Sequence, residues 1–205
     1  MARRILLLTT GGTIASLPTK EGLAPGLAGA ELAGLLPRGI TDAYDLTIQD
    51  ILHLDSSNIQ PEEWQTIARH VFDNRREYDG IVITHGTDTM AYTASVLSFM
   101  LRGIAIPVVL TGAQLPMTHP LSDGLENLRT ALAMAASGVA GVFLAFDRKV
   151  ILGCRAVKTR TTDFDAFESV NWPLAGMVDG KGLQIRRESI PTQLGAVPCG
   201  TNCAT

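Results

Sequence analysis

The feature that most constrains the fold is the alternation of short, uninterrupted apolar runs with segments of helical periodicity. Four runs rich in branched residues, "RILLLTT", "GIVITHG", "IPVVLTG" and "GVFLAF", are typical of strands that are buried on both faces. Apolar residues at helical spacing separate them, after Pro61 and in stretches that begin near Met90 and Leu121. This order predicts an α/β fold, a three-layer sandwich around a mostly parallel sheet of the flavodoxin or Rossmann type.

Length, charge and hydropathy exclude several classes of protein. A chain of 205 residues can bury a sizeable core. With 17 basic and 20 acidic residues and no local run of Lys or Arg, the sequence lacks an electrostatic footprint for nucleic acid. The apolar run in "MARRILLLTTGG" is too short for a signal peptide, and no run approaches the roughly 20 residues of a membrane span. We therefore expect a cytoplasmic protein without nucleic-acid or membrane partners.

The cysteines and histidines predict no metal site. Cys154, Cys199 and Cys203 are an odd number, which suits free thiols in a reducing compartment. The pair in "CGTNC" lacks a second pair of ligands at matching spacing, and the four histidines form no H-E-x-x-H pattern. We expect no metal.

Two segments interrupt the alternation. Residues 17–39 carry five glycines and three prolines, which predicts a mobile loop followed by a short helix; the loop is either a lid over the sheet edge or a solvated connection. After Phe146 the alternation weakens, with one more strand predicted near Gly182, and the final "VPCGTNCAT" has the composition of a linker. We expect one α/β domain over residues 1–185 and a linker-like tail over 186–205.

Small polar residues follow the predicted strands. They form the clusters "TTGGT", "THGTDT", "TGAQ" and, after "LTIQDILHLD", "SSN". Each cluster alone fits ordinary turns and helix N-caps. Because ligands of open α/β sheets bind beyond the carboxyl ends of the strands, the clusters should converge on one edge. That convergence favours a site with a reactive hydroxyl, and "CRAVKTRTTD" supplies a cation, Lys158, that could activate it.

Longer stretches around these clusters resemble a known family. "LLLTTGGTIAS" and "GIVITHGTDTMAYTASVL" are similar to the two signature motifs of the bacterial-type L-asparaginase family, which includes glutaminase-asparaginases. "LTGAQLPMTHPLSDGLENLRTAL" and "VKTRTTDFDAFES" resemble two further blocks of that family in the same order, so the resemblance extends to about Trp172. It implies an amidohydrolase that converts L-asparagine and water to L-aspartate and ammonia through a threonine acyl-enzyme. The chemistry that the resemblance implies requires no organic cofactor.

The resemblance also implies the catalytic residues. Thr13 would be the nucleophile, and Thr87, Asp88 and Lys158 would supply a second hydroxyl, a carboxylate and an amine, with Lys158 helping to move a proton through Thr87. A lysine that acts as a base needs a lowered pKa, whereas a neighbouring carboxylate favours the charged form. The role of Lys158 as base or as electrostatic support therefore stays open.

The same resemblance implies a set of substrate-binding residues. They are Gly12, Ser56, Ser57, Gly86, Asp88 and Ala113. Ser56 would hold the substrate carboxylate and Asp88 the ammonium. Gly12 would let main chain approach the amide, and backbone N–H groups near Thr87 would stabilise the oxyanion. Ala113 would offer its carbonyl to the leaving ammonia.

The sequence departs from the family pattern in two places. Many members have a tyrosine over the nucleophile in the loop after the first motif, whereas "EGLAPGLAG" has none and Leu23 falls at about that place. Either another group activates Thr13 or the loop only covers the site. Family members also carry a smaller C-terminal α/β domain that contributes to a neighbouring subunit's site. We expect that domain to be absent here, or to be supplied separately.

Several alternatives remain. A glutaminase, or the ammonia-producing subunit of an archaeal glutamyl-tRNA amidotransferase, would share the amidase unit, and a non-catalytic ligand-binding fragment is a third possibility. The substrate would be L-asparagine or L-glutamine, and the family implies a homodimer or homotetramer. A catalytic His85 and a phosphate-binding "GGT" turn are minor alternatives, because no Ser-His-Asp arrangement, G-x-G-x-x-G motif or P-loop lysine accompanies them.

Overall fold

The computed structural model describes residues 2–19, 22–25 and 29–191. The strands within these ranges are β1 (Arg3–Gly11), β2 (Ser16–Thr19), β3 (Gly22–Pro25), β4 (Tyr44–Leu54), β5 (Gly80–Thr84), β6 (Pro107–Thr111), β7 (Gly141–Phe146), β8 (Lys149–Leu152), β9 (Ala156–Lys158), β10 (Phe167–Ser169), β11 (Gly176–Asp179) and β12 (Gly182–Ile185). The helices are α1 (Gly29–Gly34), α2 (Arg38–Thr41), α3 (Pro61–Asn74), α4 (Met90–Met100) and α5 (Gly124–Ala135).

The main sheet has eight strands in the order β12-β11-β8-β7-β6-β5-β1-β4. Strands β4, β1, β5, β6 and β7 pair in parallel, and the other three continue the sheet through antiparallel pairings. Counted in chain order, the parallel strands lie 2-1-3-4-5, which is the flavodoxin arrangement. The prediction of a mostly parallel sheet is confirmed. The order reverses between β1 and β5, where folds of this type bind ligands.

Helices cover both faces of this sheet because β1 presents apolar side chains to both. Leu6 and Leu8 pack into a core with α3 and α4, whereas Ile5 and Leu7 pack into a second core with α1, α2 and α5. All four side chains are fully buried, and each contributes about 1.5–3 kcal/mol of transfer free energy. The result is the predicted three-layer sandwich, whose buried strands hold their carboxyl ends in fixed positions.

Two local predictions need correction. The segment predicted as a loop contains an antiparallel hairpin, in which β2 pairs with β3 from Ser16 opposite Pro25 to Thr19 opposite Gly22, and the predicted short helix follows as α1. Leu121 is 72% exposed and precedes α5, because a turn at His119 accepts the Leu121 and Ser122 N–H groups before the helix begins. Strand β12 confirms the strand predicted near Gly182.

The predicted loop, the predicted tail and the predicted free cysteines lie partly outside the described residues. Residues 20, 21 and 26–28 belong to the glycine-rich stretch around Leu23, and residues 192–205 belong to the tail that contains Cys199 and Cys203. Within the ranges given above, no helix is long and apolar enough to cross a membrane.

Candidate active site

The exits of β1 and β5 meet through their glycine backbones. Gly11 and Gly12 have φ angles of +97° and +80°, a region that L side chains rarely adopt. A Cβ on Gly12 would lie 2.4 Å from the Gly86 nitrogen, and a Cβ on Gly86 would lie 2.4 Å from the Ser56 Oγ. Because there is no room for side chains, the turn that begins at Thr13, the β5 exit and the serine turn are in direct contact.

The threonines of the first motif have different environments. The Thr9 hydroxyl donates to the Asp50 carboxylate on β4, and the Thr10 hydroxyl donates to the Thr84 carbonyl on β5 (2.8 Å). Both threonines are buried and hold β1 to its neighbours. Thr13 lies beyond the two glycines in a short 3-10 turn and is partly exposed. The β1 exit thus holds Thr13 near the surface at the switch point.

The structure brings together the predicted group of Thr87, Asp88 and Lys158. The Lys158 Nζ, at the end of β9, lies 2.9 Å from the Thr87 Oγ1 and 2.8 Å from an Asp88 carboxylate oxygen. The side chain of Lys158 is 13% exposed and that of Asp88 is 64% exposed, so the ion pair extends from the interior to the surface. Because the amine is largely buried, its attraction to Asp88 is screened less than that of an ion pair in solution, which holds the amine beside Thr87.

Gln114 fixes the direction of the Thr87 proton, a role that the sequence analysis missed. Its Nε2 donates to the carbonyls of Thr161 (3.0 Å) and Asp163 (2.8 Å), so its Oε1 must face the Thr87 Oγ1 (3.2 Å). The Thr87 hydroxyl therefore donates to Gln114 and accepts from Lys158. In this arrangement Lys158 is a donor in both of its hydrogen bonds and must lose a proton before it can accept one.

His85 supports the β5 exit from the interior. It is 1% exposed; its Nδ1 lies 2.8 Å from the Gly86 carbonyl and its Nε2 lies 3.0 Å from the Thr93 Oγ1, which accepts from the Trp64 Nε1 (2.8 Å). A carbonyl partner requires a proton on Nδ1, so Nε2 accepts from Thr93. Burial lowers the pKa of His85 to about 4; because the ring is also buried and both of its nitrogens already have partners, the alternative of a catalytic imidazole is disfavoured.

The hydrogen bond from His85 also orients the next peptide. In a trans peptide the carbonyl of one residue and the N–H of the next point in opposite directions, and none of the described peptides is cis. Because the Gly86 carbonyl points at His85, the Thr87 N–H points away from it.

The two serines of the predicted carboxylate site differ in burial. Ser56 is 5% exposed, contacts Gly86, and accepts a hydrogen bond at its carbonyl from the Thr89 hydroxyl (2.8 Å). Ser57 is exposed, and its backbone N–H donates to the carboxylate of Asp55, which caps this turn (2.8 Å). The structure therefore joins Ser56 to the cluster and leaves Ser57 at its surface.

Ala113 lies against the turn that carries Thr13. It is fully buried and packs with Ile14, the residue after Thr13, and with Met117. The Met117 N–H approaches the Ile14 carbonyl at 3.4 Å, which ties the loop after β6 to the β1 exit. All predicted site residues thus lie at one edge of the sheet, and Ser57 is the exposed member of the serine pair.

The chain is similar to proteins of one known family. The family model "Asparaginase, N-terminal" matches residues 4–191. The L-asparaginase of Thermococcus kodakarensis is 48% identical over 185 residues, which cover 90% of this chain and 56% of that relative. The solved structure of the thermostable L-asparaginase from the same organism has 47% identity and a TM-score of 0.85, and the match covers 94% of this chain and 58% of that one.

A weaker similarity connects the chain to a protein with a different name. A subunit of the glutamyl-tRNA(Gln) amidotransferase of Thermoplasma acidophilum is 36% identical over 186 residues, 87% of this chain and 45% of the relative. The chain spans about half the length of the curated relatives it matches.

Proposed function

Because the chain belongs to the asparaginase family, we propose that it hydrolyses the side-chain amide of L-asparagine to L-aspartate and ammonia. The observation that carries the proposal is the backbone contact between Gly12 and Gly86. This contact brings the turn that begins at Thr13 next to the β5 exit, where the Thr87 hydroxyl accepts from the Lys158 amine, so two threonines and one lysine lie at a single edge of the sheet. Such a set supports nucleophilic catalysis by a hydroxyl group.

In the proposed reaction Thr13 is the nucleophile. Its oxygen forms a bond to the side-chain carbonyl carbon of asparagine, the carbon–nitrogen bond breaks, and the hydroxyl proton ends on the nitrogen that leaves as ammonia. Water then attacks the resulting ester, which releases L-aspartate and restores the Thr13 hydroxyl group. Holding the substrate at a fixed nucleophile supplies much of the acceleration, because the reacting groups no longer have to meet by diffusion.

Lys158 acts in this proposal first as a cation. It donates to the Thr87 Oγ1 and to Asp88, and the Thr87 proton points at Gln114. A cation at this place stabilises negative charge that develops near Thr87 during attack. A role as base would need prior loss of a proton from Lys158 and rotation of the Thr87 hydroxyl away from Gln114.

The remaining contacts would orient the substrate. Asp88 is well exposed and one of its oxygens is bound by Lys158, which leaves the other oxygen for the substrate ammonium. Ser56, buried against Gly86, would bind the substrate carboxylate. The Thr87 N–H, which points away from His85, would donate to the oxyanion.

The same proposal extends to the protein as a whole. We place it in the cytoplasm, with a small-molecule substrate, and as a homodimer or homotetramer in which a neighbouring subunit or a further domain contributes to the site. L-Asparagine and L-glutamine differ by one methylene, which is worth only about 1–3 kcal/mol in a pocket. We propose L-asparagine because the relatives of highest identity reported above are named L-asparaginase.

Ammonia release by the purified protein, expressed from its complete reading frame, tests the proposal. L-Asparagine should be turned over faster than L-glutamine and D-asparagine. Thr13→Ala and Thr87→Ala should lose this activity, whereas Thr41→Ala, which removes an exposed hydroxyl that caps the Arg38 carbonyl, should retain it. Full activity in both of the first two variants would refute the assignment. Aspartate binding without turnover would favour a ligand-binding domain instead.

A further inference from the structure

We infer that Asp123, together with Asn127, fixes the direction of the Ala113 carbonyl and thereby makes the site prefer amides over esters of the same acyl group. The inference rests on the proposed function, in which the Ala113 carbonyl accepts a hydrogen bond from the leaving nitrogen. Asp123 and Asn127 touch neither Thr13 nor Thr87 through any hydrogen bond between described residues, so both are positioning residues.

Asp123 holds the main chain directly after Ala113. Both of its carboxylate oxygens lie 3.0 Å from the Gln114 nitrogen, and one of them lies 3.1 Å from the Leu115 nitrogen. Two consecutive N–H groups therefore donate to one carboxylate immediately before α5. Hydrogen bonds to a charged acceptor are about twice as strong as neutral ones, so this peptide is firmly oriented.

Asn127 holds the main chain directly before Ala113. This side chain is 1% exposed, and its Nδ2 donates to the Gly112 carbonyl (3.0 Å) and to Asp123 (2.9 Å). Its Oδ1 accepts from the Asp147 N–H (2.8 Å), which fixes the orientation of the amide group. Both hydrogens of Nδ2 are used, so Asn127 has no freedom to release Gly112 without leaving a buried polar group unpaired.

These contacts determine where the Ala113 carbonyl points. In a trans peptide the Ala113 carbonyl and the Gln114 N–H point in opposite directions. Because the Gln114 N–H points at Asp123, the carbonyl points away from the beginning of α5. The Ala113 side chain packs against Ile14, next to Thr13, so the whole residue has a fixed place beside the proposed nucleophile.

A fixed carbonyl distinguishes between leaving groups. The nitrogen of an amide carries N–H groups that can donate to the Ala113 oxygen, and this contact holds the nitrogen in place as it departs. The ester oxygen of the bound substrate has only lone pairs, so the same carbonyl repels it until the leaving alcohol has taken up the proton of the nucleophile. Sites built around a hydrogen bond to the substrate reject analogues that lack the matching group, because the protein group is then left unpaired.

The test compares L-asparagine with the β-methyl ester of L-aspartate, which has the same acyl group. Asp123→Asn keeps the shape of the side chain but replaces one acceptor oxygen with an NH₂ group that faces a backbone N–H. We expect the ratio of kcat/KM for the amide to kcat/KM for the ester to fall at least about tenfold, mainly through the amide. The matched control is Asp79→Asn, which alters a carboxylate that accepts the Arg4 N–H (2.9 Å) at the opposite end of β1.

The ratio for Asp79→Asn should equal that of the wild-type protein. If Asp123→Asn does not fold, Asn127→Ser, which removes the donor to Gly112, should shift the ratio in the same direction. An equal fall for amide and ester would assign Asp123 a structural role and overturn the inference alone. Failure of the wild-type protein to hydrolyse either compound would overturn the proposed function as well.

Discussion

The exits of β1 and β5 lie side by side but are built in different ways. The β1 exit depends on backbone conformation, because two glycines with positive φ let the chain turn and bring Thr13 to the sheet edge. The β5 exit depends on side-chain hydrogen bonds: Thr87 accepts from Lys158 and donates to Gln114, and His85 donates to the Gly86 carbonyl.

This difference assigns the two exits different parts of the proposed chemistry. Because glycine backbone conformation forms the turn, the turn does not depend on the Thr13 side chain, which in the proposal reacts with the substrate. A network of side chains sets the proton positions and the charge around Thr87. Substitutions that add bulk should therefore damage the first exit most, and substitutions that remove polar atoms should damage the second.

The largest expected effect is on the β1 exit. In Gly12→Ala the new Cβ would meet the Gly86 backbone at 2.4 Å, and φ is +80°. Backbone strain and overpacking together should lower the free energy of unfolding by about 4 kcal/mol. The matched control is Gly39→Ala, where no atom lies within 4 Å and a helical Ala should stabilise slightly. Urea unfolding followed by tryptophan fluorescence measures both, and a loss below about 1 kcal/mol for Gly12→Ala would contradict the account.

The next largest effect is the pH dependence of stability that buried His85, below the β5 exit, should cause. Burial lowers the pKa of His85 to about 4 from 6.5, so the native protein disfavours the proton that the unfolded chain accepts. The free energy of unfolding is therefore highest above pH 6.5. It declines by about 3 kcal/mol in total as the pH falls from 6.5 towards 4.

Urea unfolding at several pH values tests this dependence. His85→Asn cannot titrate and keeps a side-chain donor for the Gly86 carbonyl, so its free energy of unfolding should decline less between pH 7 and pH 4 than that of the wild type. Parallel curves for the two proteins would show that His85 is not held neutral.

Removal of the Thr87 hydroxyl should impair catalysis, whereas removal of the Thr84 hydroxyl should not. Thr87→Val removes the acceptor of Lys158 and the donor to Gln114 and should lower kcat/KM for L-asparagine at least about 100-fold. Thr84→Val is the matched control, since the buried Thr84 Oγ1 has no partner among the described residues. Its kcat/KM should stay within about threefold of the wild type. Equal losses in both variants would mean that Thr87 acts only through packing.

The smallest effect should come from Gln114. Gln114→Met keeps the side-chain volume. It loses the acceptor for the Thr87 proton and the hydrogen bonds to the Thr161 and Asp163 carbonyls. We expect kcat to fall about tenfold, because the hydroxyl proton is no longer directed. Gln184→Met, at the far edge of the sheet, should leave kcat unchanged. An unchanged kcat in Gln114→Met would remove Gln114 from the account of the β5 exit.

The sequence predicts the sheet and its polar edge well because both follow from local patterns. Branched apolar runs specify strands buried on both faces, and small polar residues follow each of them. The hairpin of β2 and β3 was missed because its glycines and prolines are equally typical of irregular loops.

Contacts across the sheet edge could not be predicted in the same way. Gln114 and Asp123 lie in a block that resembles the family, but their partners are fixed only by tertiary packing. The four-residue spacing of Asp123 and Asn127 at the start of α5 was the available signal, since residues so spaced lie on one helix face. The burial of His85 likewise depends on α3 and α4, which supply Trp64 and Thr93.

The position of the acyl group shows whether the β1 exit carries the nucleophile. Trypsin should place Thr13 on the peptide of residues 5–20 and Thr87 on that of residues 77–102. Protein from the complete reading frame is quenched with acid during turnover of the β-methyl ester of L-aspartate, digested and analysed by mass spectrometry. We expect one aspartyl group at Thr13 on peptide 5–20, and none in Thr13→Ala. An aspartyl group on peptide 77–102, or a wild-type rate of L-aspartate formation by Thr13→Ala, would contradict it.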